Sequence, residues 1–171
     1  MRDKIKTRRQ LQTLIKGLRS RGKRIVFTNG CFDLLHVGHV RTLQKAKTFG
    51  DILIVGLNSD KSIHLIKGPR RPINPERARA EVLAALDGVD YVTLFDEPDP
   101  QNLITALLPD VLVKGGDWSK NRVIGKDIVE ARGGKVIAIP VVPHVSTTRI
   151  IGHIIKKYGK TETASRTTSY R

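Results

Sequence analysis

The chain has 171 residues, of which 39% are hydrophobic and 27% charged, with one cysteine and a formal net charge of +15. This length suits one domain with a buried core, and a single cysteine excludes a disulfide within the chain. The apolar runs are too short to cross a bilayer and no apolar signal segment opens the chain, so we expect a soluble, cytoplasmic protein without a membrane partner.

The positive charge is concentrated at the two ends of the chain. Residues 1–24 hold ten Lys or Arg against one acid, and residues 156–171 hold five against one. The 131 residues between them carry 16 basic and 14 acidic side chains, which nearly cancel. Basic ends can bind polyanions nonspecifically, but such a pattern is more often a solvated helix face and a loose tail. Nucleic-acid binding is therefore kept only as an alternative function of a different class.

Predicted helices and strands alternate along the chain. In the basic segment 1–23, apolar residues at helical spacing predict an amphipathic helix packed on the outside of the domain: Leu11, Leu14, Ile15 and Leu18. Five apolar runs predict strands at 24–29, 51–58, 89–95, 110–114 and 135–140. Helices are predicted at 37–49, from the Asn74-Pro75 cap, from Asp99-Pro100, and from Ser146 to the end of an isoleucine-rich stripe.

This alternation predicts an α/β fold, a Rossmann-like parallel five-stranded sheet with helices on both faces. We divide the chain into a basic N-terminal helix or arm at 1–23, a single α/β domain at 24–158, and a polar tail at 159–171. The tail has little apolar surface to bury, so it is expected to be disordered.

Ligands of such sheets bind beyond the carboxyl ends of the strands, so the residues that follow each strand are the candidates for a site. Four such stretches are TNGCFDLLHVGH at 28–39, NSD followed by Lys67-Gly68, KGGDW, and HVSTT. They combine glycines, cations and small hydroxyl groups at helix starts. Together they predict a cradle for a polyphosphate.

Each part of this cradle has a physical reason. Gly38 has no Cβ, so a phosphate oxygen could approach the backbone closely. His39 is expected in the first turn of its helix, where free N–H groups and the helix dipole favour an anion, and His36 stands one turn earlier. The hydroxyls at 146–148 begin a second helix, and Lys67 adds a positive charge.

Two of these stretches resemble the signatures of a known superfamily. GCFDLLHVGH is similar to the HxGH motif of the nucleotidyltransferases, and VSTTRII is similar to their second signature. With GLNSD, LIKGPRRPIN, RAEVLAAL, VDYV and VLVKGGDW, residues 24–155 resemble the adenylyltransferases that make ADP-heptose, which many bacteria fuse to a sugar kinase. No kinase portion is present, so a stand-alone form is expected.

The resemblance implies a reaction. AMP passes from ATP to D-glycero-β-D-manno-heptose 1-phosphate, giving ADP-heptose, a lipopolysaccharide core precursor, and pyrophosphate that leaves with Mg²⁺. It also implies a homodimer and no metal site built by the protein.

The resemblance further implies roles for single residues. His36 and His39 would bind the α and β phosphates and stabilise the transition state, while Lys67 would bridge the sugar phosphate and ATP. The implied nucleotide-binding residues are Asn29, Gly30, Cys31, Phe32, Gly38, Arg79, Gly115, Asp117, Ser146, Thr147 and Thr148. The implied substrate-binding residues are Asp33, Asn58, Asp60 and Lys67.

Several alternatives remain open from the residues alone. The histidine pair could bind a metal with Asp33, although Asp33 suits a loop-holding role better than that of a catalytic base. The same mechanism could serve cytidylyl transfer to glycerol or ethanolamine phosphate, or adenylyl transfer to FMN. The VVP before the second signature lacks an arginine that cytidylyltransferases often carry, which argues against CTP. His144 stands where many relatives have glycine and is a candidate third imidazole.

Overall fold

The protein is described by a computed structural model that covers residues 2–116 and 123–159. Asp117 and nearly all of the tail predicted at 159–171 lie outside the described residues. A short 3₁₀ turn at Arg2–Lys4 comes first. The helices are α1 (Arg8–Arg19), α2 (Val37–Lys47), α3 (Asp60–Lys67), α4 (Glu76–Ala85), α5 (Gln101–Leu107), α6 (Lys126–Glu130) and α7 (Thr147–Tyr158).

Five strands form one parallel sheet. They are β1 (Ile25–Gly30), β2 (Ile52–Asn58), β3 (Tyr91–Phe95), β4 (Val111–Gly115) and β5 (Lys135–Ile139), in the order β3-β2-β1-β4-β5. β1 pairs with β2 on one side and with β4 on the other, so the first strand lies at the centre. The predicted Rossmann-like parallel sheet is confirmed, with strand ends shifted by one or two residues.

Helices cover both faces of the sheet, as predicted. On one face, α2 and α4 pack through Leu43, Ala46, Ala80 and Leu83 onto the side chains of β1 to β5 that include Val26, Val55 and Val113. On the other face, α1, α5 and α6 bury Leu11, Ile15, Leu103, Ile104 and Val129 against Ile25, Phe27 and Leu112. Alternate residues of each strand therefore feed two cores, which explains why the strands are apolar almost throughout.

The basic N-terminal segment belongs to the packed body of the protein. The Thr7 hydroxyl accepts from the Gln10 backbone N–H, and the Gln10 side chain accepts from the Thr7 N–H, so α1 begins with a capping box. Leu11 and Ile15 are buried in the core on this face of the sheet, while Arg9 and Lys16 are exposed. The predicted amphipathic helix is confirmed. The domain boundary at residue 24 remains a prediction.

One helix was missed and two caps were predicted wrongly. No helix was predicted at α3, which is eight residues long and buries only Ser62 and Ile63. Asn74 and Asp99 were expected to cap α4 and α5, but the prolines that follow them occupy the cap positions and make no side-chain cap bond. The Asn74 side-chain amide instead donates to the Asp33 carbonyl at 3.0 Å, because the chain before α4 is folded back against the loop after β1. No helix in the described ranges is long and apolar enough to cross a membrane.

Candidate functional site

A cleft of about 340 Å³ opens above the carboxyl ends of β1 and β4, between the starts of α2 and α7. The predicted site residues that line it are His36, His39, Lys67, Asn29, Gly30, Cys31, Phe32, Gly38, Gly115, Ser146, Thr147 and Thr148. Segments more than a hundred residues apart therefore share one cavity. Among the described residues that line it, none is an aspartate or a glutamate, so the cleft is suited to anions.

His36 is the N-cap residue of α2. Its backbone is extended, and its Nδ1 accepts from the backbone N–H of His39 at 3.4 Å. An imidazole that accepts at Nδ1 carries its proton on Nε2 when neutral, so His36 can offer an Nε2–H donor to a ligand. His36 was expected near the phosphate site, but its role as the cap of the helix was not predicted.

His39 stacks on His36. The ring centroids are 3.8 Å apart and the planes are inclined by 16°, while Phe32 flanks His39 from another side at 5.1 Å. Burial, followed by the charges of His36 and Lys67, lowers the pKa of His39 from 6.5 to about 4. Burial also lowers the pKa of His36. Both rings are therefore neutral at pH 7, and each can donate one N–H.

The buried nitrogen of His39 fixes which atom is left for a ligand. Nδ1 is buried and has no hydrogen-bond partner. Burying an N–H without an acceptor is costly, whereas a lone pair in the same place costs less, so the neutral ring carries its proton on Nε2. Both imidazoles thus present Nε2–H groups from the first turn of one helix.

Gly38 is needed by the imidazole as well as by a ligand. A Cβ at residue 38 would lie 3.1 Å from two ring atoms of His36 and 3.7 Å from Val142. The contacts with the ring are tighter than ordinary van der Waals contact, so a Cβ here would require the His36 ring to shift by a few tenths of an ångström. The glycine in the HxGH pattern therefore has a structural reason within the protein itself.

The start of α7 supplies the opposite wall of the cleft. Ser146 is its N-cap, with the side-chain oxygen accepting from the Arg149 N–H at 3.2 Å, as its position in the sequence predicted. The Thr147 hydroxyl donates to the Leu34 carbonyl at 3.3 Å, which ties α7 to the loop after β1. The free N–H groups at the starts of α2 and α7 therefore face the same cavity.

The cations of the cleft come from three elements. Lys67 is the last residue of α3, so a helix and not a loop holds its position. Arg71 also lines the cleft, and its Nε donates to Asp33 at 2.5 Å. Burial alone would raise the pKa of Asp33, but the Asn74 amide, the Arg71 side chain and the Ile73 amide together hold it below its usual value. Lys114, at the end of β4, is the third cation.

Four of the predicted site residues do not line the cleft. Arg79 is fully buried and donates to the carbonyls of Cys31, Asn58 and Asn74 and to the carboxylate of Asp60. Asn58 donates to Ser62, and Asp33 is buried and accepts from Arg71, Ile73 and Asn74. These groups shape the loops that form the cleft. The structure assigns them a supporting position, in keeping with the loop-holding role favoured for Asp33.

Thr42 of the cleft was not predicted from the sequence, and Lys114, the lysine of the KGGDW stretch, was placed in the predicted cradle without a role of its own. Thr42 stands one turn into α2 and donates to the Gly38 carbonyl at 2.9 Å. Lys114 is the last but one residue of β4, within the VLVKGG stretch, and donates to Asn29 Oδ1 at 3.1 Å. The signal in the sequence for Lys114 is a charged residue at the end of an apolar strand, directly before two glycines, where its side chain can reach a ligand.

The described part of the protein provides no seat for a metal ion. Within the described ranges, no group of three or more His, Cys, Asp or Glu residues is arranged to hold one. Asp33, which could have joined the histidine pair, is directed at Arg71 and two backbone amides. The cleft therefore does not fit a resident Mg²⁺, and no chemical step below runs through one.

A parallel α/β sheet with two facing helix N-termini and a histidine pair at its carboxyl edge is a Rossmann-like fold of the nucleotidyltransferase type. The chain belongs to the cytidylyltransferase-like family, whose family model matches residues 27–171.

Curated relatives are much larger than this chain. It is 55% identical over 157 residues to the bifunctional protein HldE of Geobacter metallireducens, which covers 92% of this chain and 32% of that protein. It is 57% identical over 151 residues to bifunctional HldE of Geotalea uraniireducens, covering 88% and 31%. The chain thus spans about a third of the length of these relatives. The alignment over 157 residues leaves 14 of the 171 residues unmatched, which is fewer than the 23 residues of segment 1–23. The similarity therefore extends into that segment, which contains α1.

Two solved structures share the fold. The lipopolysaccharide core biosynthesis protein of Thermoplasma volcanium superposes with a TM-score of 0.58 at 27% identity, over 72% of this chain and 100% of that chain. A pantoate-β-alanine ligase from Francisella tularensis, solved with β-γ ATP and β-alanine, gives a TM-score of 0.59 at 18% identity, over 95% and 81%. The second likeness concerns the fold alone.

Proposed function

We propose that the protein is an adenylyltransferase that transfers AMP from ATP to D-glycero-β-D-manno-heptose 1-phosphate, giving ADP-heptose and pyrophosphate. The observation that carries the proposal is the meeting of two stacked imidazoles with two helix N-termini in one cleft. The resemblance of the motifs to adenylyltransferases that make ADP-heptose suggests the substrates. Identity of 55% to bifunctional HldE over 92% of the chain supports the same choice.

The proposed chemistry is one displacement at the α-phosphorus of ATP. An oxygen of the sugar phosphate attacks this phosphorus, and the bond to the oxygen bridging the α and β phosphates breaks, so pyrophosphate leaves. The attacking phosphate is already ionised, so no side chain has to remove a proton. The work left for the protein is to align the two phosphates and to stabilise the charge that develops between them.

The residues of the cleft divide this work. The Nε2–H groups of His36 and His39 would donate to oxygens of the α and β phosphates, more strongly as charge grows there. The start of α7, with Thr147 and Thr148, would hold the phosphates that leave. Lys67 would bring its charge between the two substrates. The backbone at 30–32 would lie along the triphosphate, held in place from behind by Arg79.

The test is pyrophosphate release from ATP or CTP with a panel of phosphates: heptose 1-phosphate, other sugar 1-phosphates, glycerol phosphate, ethanolamine phosphate and FMN. Turnover is expected with ATP and the heptose phosphate. His39→Ala should lower kcat by more than about a hundredfold, as when a transition-state donor is lost. His153→Ala, at an exposed position on α7, is the matched control and should leave the rate unchanged. Undiminished turnover in His39→Ala would refute the histidine role, and preference for CTP would refute the donor.

Three further features belong to the same proposal. Mg²⁺ would arrive bound to the phosphates of ATP, since the described part of the cleft offers it no carboxylate. A cytoplasmic location follows from the need for ATP. Self-association as a homodimer is proposed as well, and the apolar side chains that α7 exposes, Ile154, Ile155 and Tyr158, offer a surface for a second copy. Sedimentation equilibrium of wild type and Ile155→Lys tests that interface.

A further inference from the structure

Lys114 is a cation that the proposed reaction has not yet used. It lies at the carboxyl end of β4, its side chain lines the cleft, and its ammonium group donates to Asn29 Oδ1 at 3.1 Å. Phe27 of β1 is paired with Leu112 of β4. Two residues further along each strand, Asn29 and Lys114 therefore lie side by side at the carboxyl end of the sheet. The neighbouring strand thus fixes where the ammonium group lies.

Lys114 and the histidines approach the cleft from opposite faces of the sheet. Side chains alternate along a strand, and Lys114 shares its side with Leu112, which packs in the core under α1, α5 and α6. His36 and His39 stand at the start of α2, which packs on the other face through Leu43 and Ala46. The start of α7 is tied by Thr147 to Leu34, in the loop that leads into α2, and Val142 lies beside Gly38 of α2. An ATP phosphate chain held by α2 and α7 therefore leaves the Lys114 side open.

The other cations of the cleft, Arg71 and Lys67, hold different positions from Lys114. Arg71 is paired with the buried Asp33 carboxylate. Lys67 lines the same cleft from the end of α3, and its charge is one of the causes that lower the pKa of His39. An in-line displacement needs separate positions for the attacking and the leaving phosphates. The Asn29–Lys114 pair supplies such a second position, with an ammonium group and an amide side by side.

We propose that Lys114, oriented by Asn29, binds the phosphate of the acceptor sugar phosphate and holds it in line with the α-phosphorus of ATP. This rests on the proposed function for the identity of the acceptor. Its chemistry is more general: the position suits a phosphate monoester, whose two negative charges would meet a partly desolvated ammonium group. The binding needs no covalent step, because Lys114 acts only through its charge and its N–H donors.

Burial at this position has a measurable consequence. Desolvation lowers the pKa of the Lys114 ammonium group, while the nearby Cys31 acts in the opposite direction. A phosphate dianion that binds there favours the charged form, so it should draw a proton onto Lys114 at alkaline pH. Calorimetry in two buffers of different ionisation enthalpy would detect proton uptake by wild type. The uptake should vanish in Lys114→Met.

The decisive experiment compares Lys114→Met with Lys114→Arg, and with Lys135→Met as the matched control. Lys135 is exposed at the start of β5, at the far end of the neighbouring strand. Lys114→Met should raise KM and the dissociation constant for the sugar phosphate by about thirtyfold, as for a lost charge-assisted hydrogen bond. The dissociation constant for ATP should change less than about threefold. Lys114→Arg should recover part of the sugar phosphate affinity, and Lys135→Met should match wild type.

Other outcomes overturn the proposal. If Lys114→Met weakens ATP and sugar phosphate alike, or only ATP, Lys114 belongs to the nucleotide site. If neither affinity changes in a variant whose circular dichroism is native, Lys114 only packs. Should Lys114→Met fail to fold, the test passes to Lys114→Gln, which keeps a polar side chain without the charge: a selective loss of sugar phosphate affinity would support the proposal, and unchanged affinities or a selective loss of ATP affinity would refute it.

A failure of the proposed function can be told apart from a failure of this inference. If wild type turns over no sugar phosphate at all, the proposed function falls. Binding of inorganic phosphate in the presence of a non-hydrolysable ATP analogue then decides the role of Lys114. Affinity at least about tenfold higher in wild type than in Lys114→Met would support an anion site at Lys114, and equal affinities would overturn it.

Discussion

The imidazoles of His36 and His39 are stacked at 3.8 Å, and the ring of His36 also accepts a hydrogen bond from the backbone of His39. The backbone of α2, which carries His39, thus holds the ring of His36 in place. Two imidazolium ions in such contact would repel each other, and the charge of His36 is one of the causes that lower the pKa of His39. The pair is therefore built to work as two neutral donors.

His39 is expected to titrate near pH 4 in the ligand-free protein. Burial is the largest cause, with the charges of His36 and Lys67 added to it, and the pKa falls from 6.5 to about 4. Side-chain NMR of ¹⁵N-labelled protein measures the value directly. ATP should raise it, because phosphate oxygens beside the ring favour its charged form. A titration near 6.5 without ligand would contradict the buried position of the ring.

The same shift predicts a loss of stability in acid. His39 takes up a proton near pH 6.5 in the unfolded chain but only near pH 4 in the folded protein, so between these values the unfolded state binds more protons. The free energy of unfolding contributed by His39 is therefore intact above pH 6.5 and is lost as the pH falls toward 4. Urea unfolding of wild type and His39→Gln across this range tests it. A difference between the two proteins that does not vary with pH would contradict the prediction.

Gly38→Ala should lower kcat clearly and the free energy of unfolding only slightly. The new Cβ would lie 3.1 Å from the His36 ring, which must shift by a few tenths of an ångström, and we expect this shift to weaken its 3.4 Å cap bond to the His39 N–H. We expect kcat to fall at least about tenfold, since a displaced donor no longer meets the transition state. The lost cap should lower the free energy of unfolding by about 1 kcal/mol.

Gly152→Ala is the control for this substitution. Gly152 lies within α7, and no atom stands within 4 Å of the position its Cβ would take. Alanine there should stabilise the helix by up to about 1 kcal/mol and leave the rate unchanged. Equal kinetics for the two variants would show that the space beside His36 is not limiting.

Arg79→Met should destabilise the protein strongly. The guanidinium group is fully buried and satisfies three carbonyls and the Asp60 carboxylate. Removing it leaves these acceptors without their donor, at a cost of about 3–5 kcal/mol. Chemical unfolding measures the loss. Arg79→Lys keeps the charge but cannot reach all four acceptors, so it should fall between wild type and Arg79→Met. An unfolding free energy within about 1 kcal/mol of wild type in Arg79→Met would refute this role.

The parts of the fold that local chemistry specifies could be predicted from the sequence. Strands buried on both faces read as apolar runs, and Ser146 has both the residue type and the place of a cap. His36, His39 and Lys67 could be assigned to one cavity because the carboxyl ends of parallel strands converge. The helix α3 was not predicted, because it buries too few residues to leave a clear apolar pattern in the sequence.

The direction of a charged side chain could not be predicted. Arg79 and Asp33 stand in motif segments, and a sequence cannot tell whether such a group points at a ligand or holds the loop beside it. That choice depends on which carbonyls and amides the folded chain brings near, and here they surround both residues. Lys114 was placed in the cradle with the KGGDW stretch, but no role could be assigned to it, because its contact with Asn29 depends on how β1 and β4 pair.

His144→Gly should stabilise the protein without loss of activity. His144 is held at a φ of 63°, a left-handed conformation that costs a residue with a Cβ about 1 kcal/mol, and this explains why a glycine suits the position. Part of the gain is offset because glycine loses more backbone entropy on folding, so about 0.5 kcal/mol is expected. His153→Gly, inside α7, should instead lower stability, by up to about 1 kcal/mol, because a helix interior disfavours glycine.

Thermal unfolding and turnover of the two glycine variants together decide whether His144 is a third catalytic imidazole. His144 is exposed and does not line the cleft in the part of the chain described, so its removal should leave kcat within about twofold of wild type. A fall in kcat of about tenfold with raised thermal stability would mean that His144 swings onto the phosphates when substrate binds. In that case the strained backbone at His144 would serve catalysis, as strain at functional sites often does.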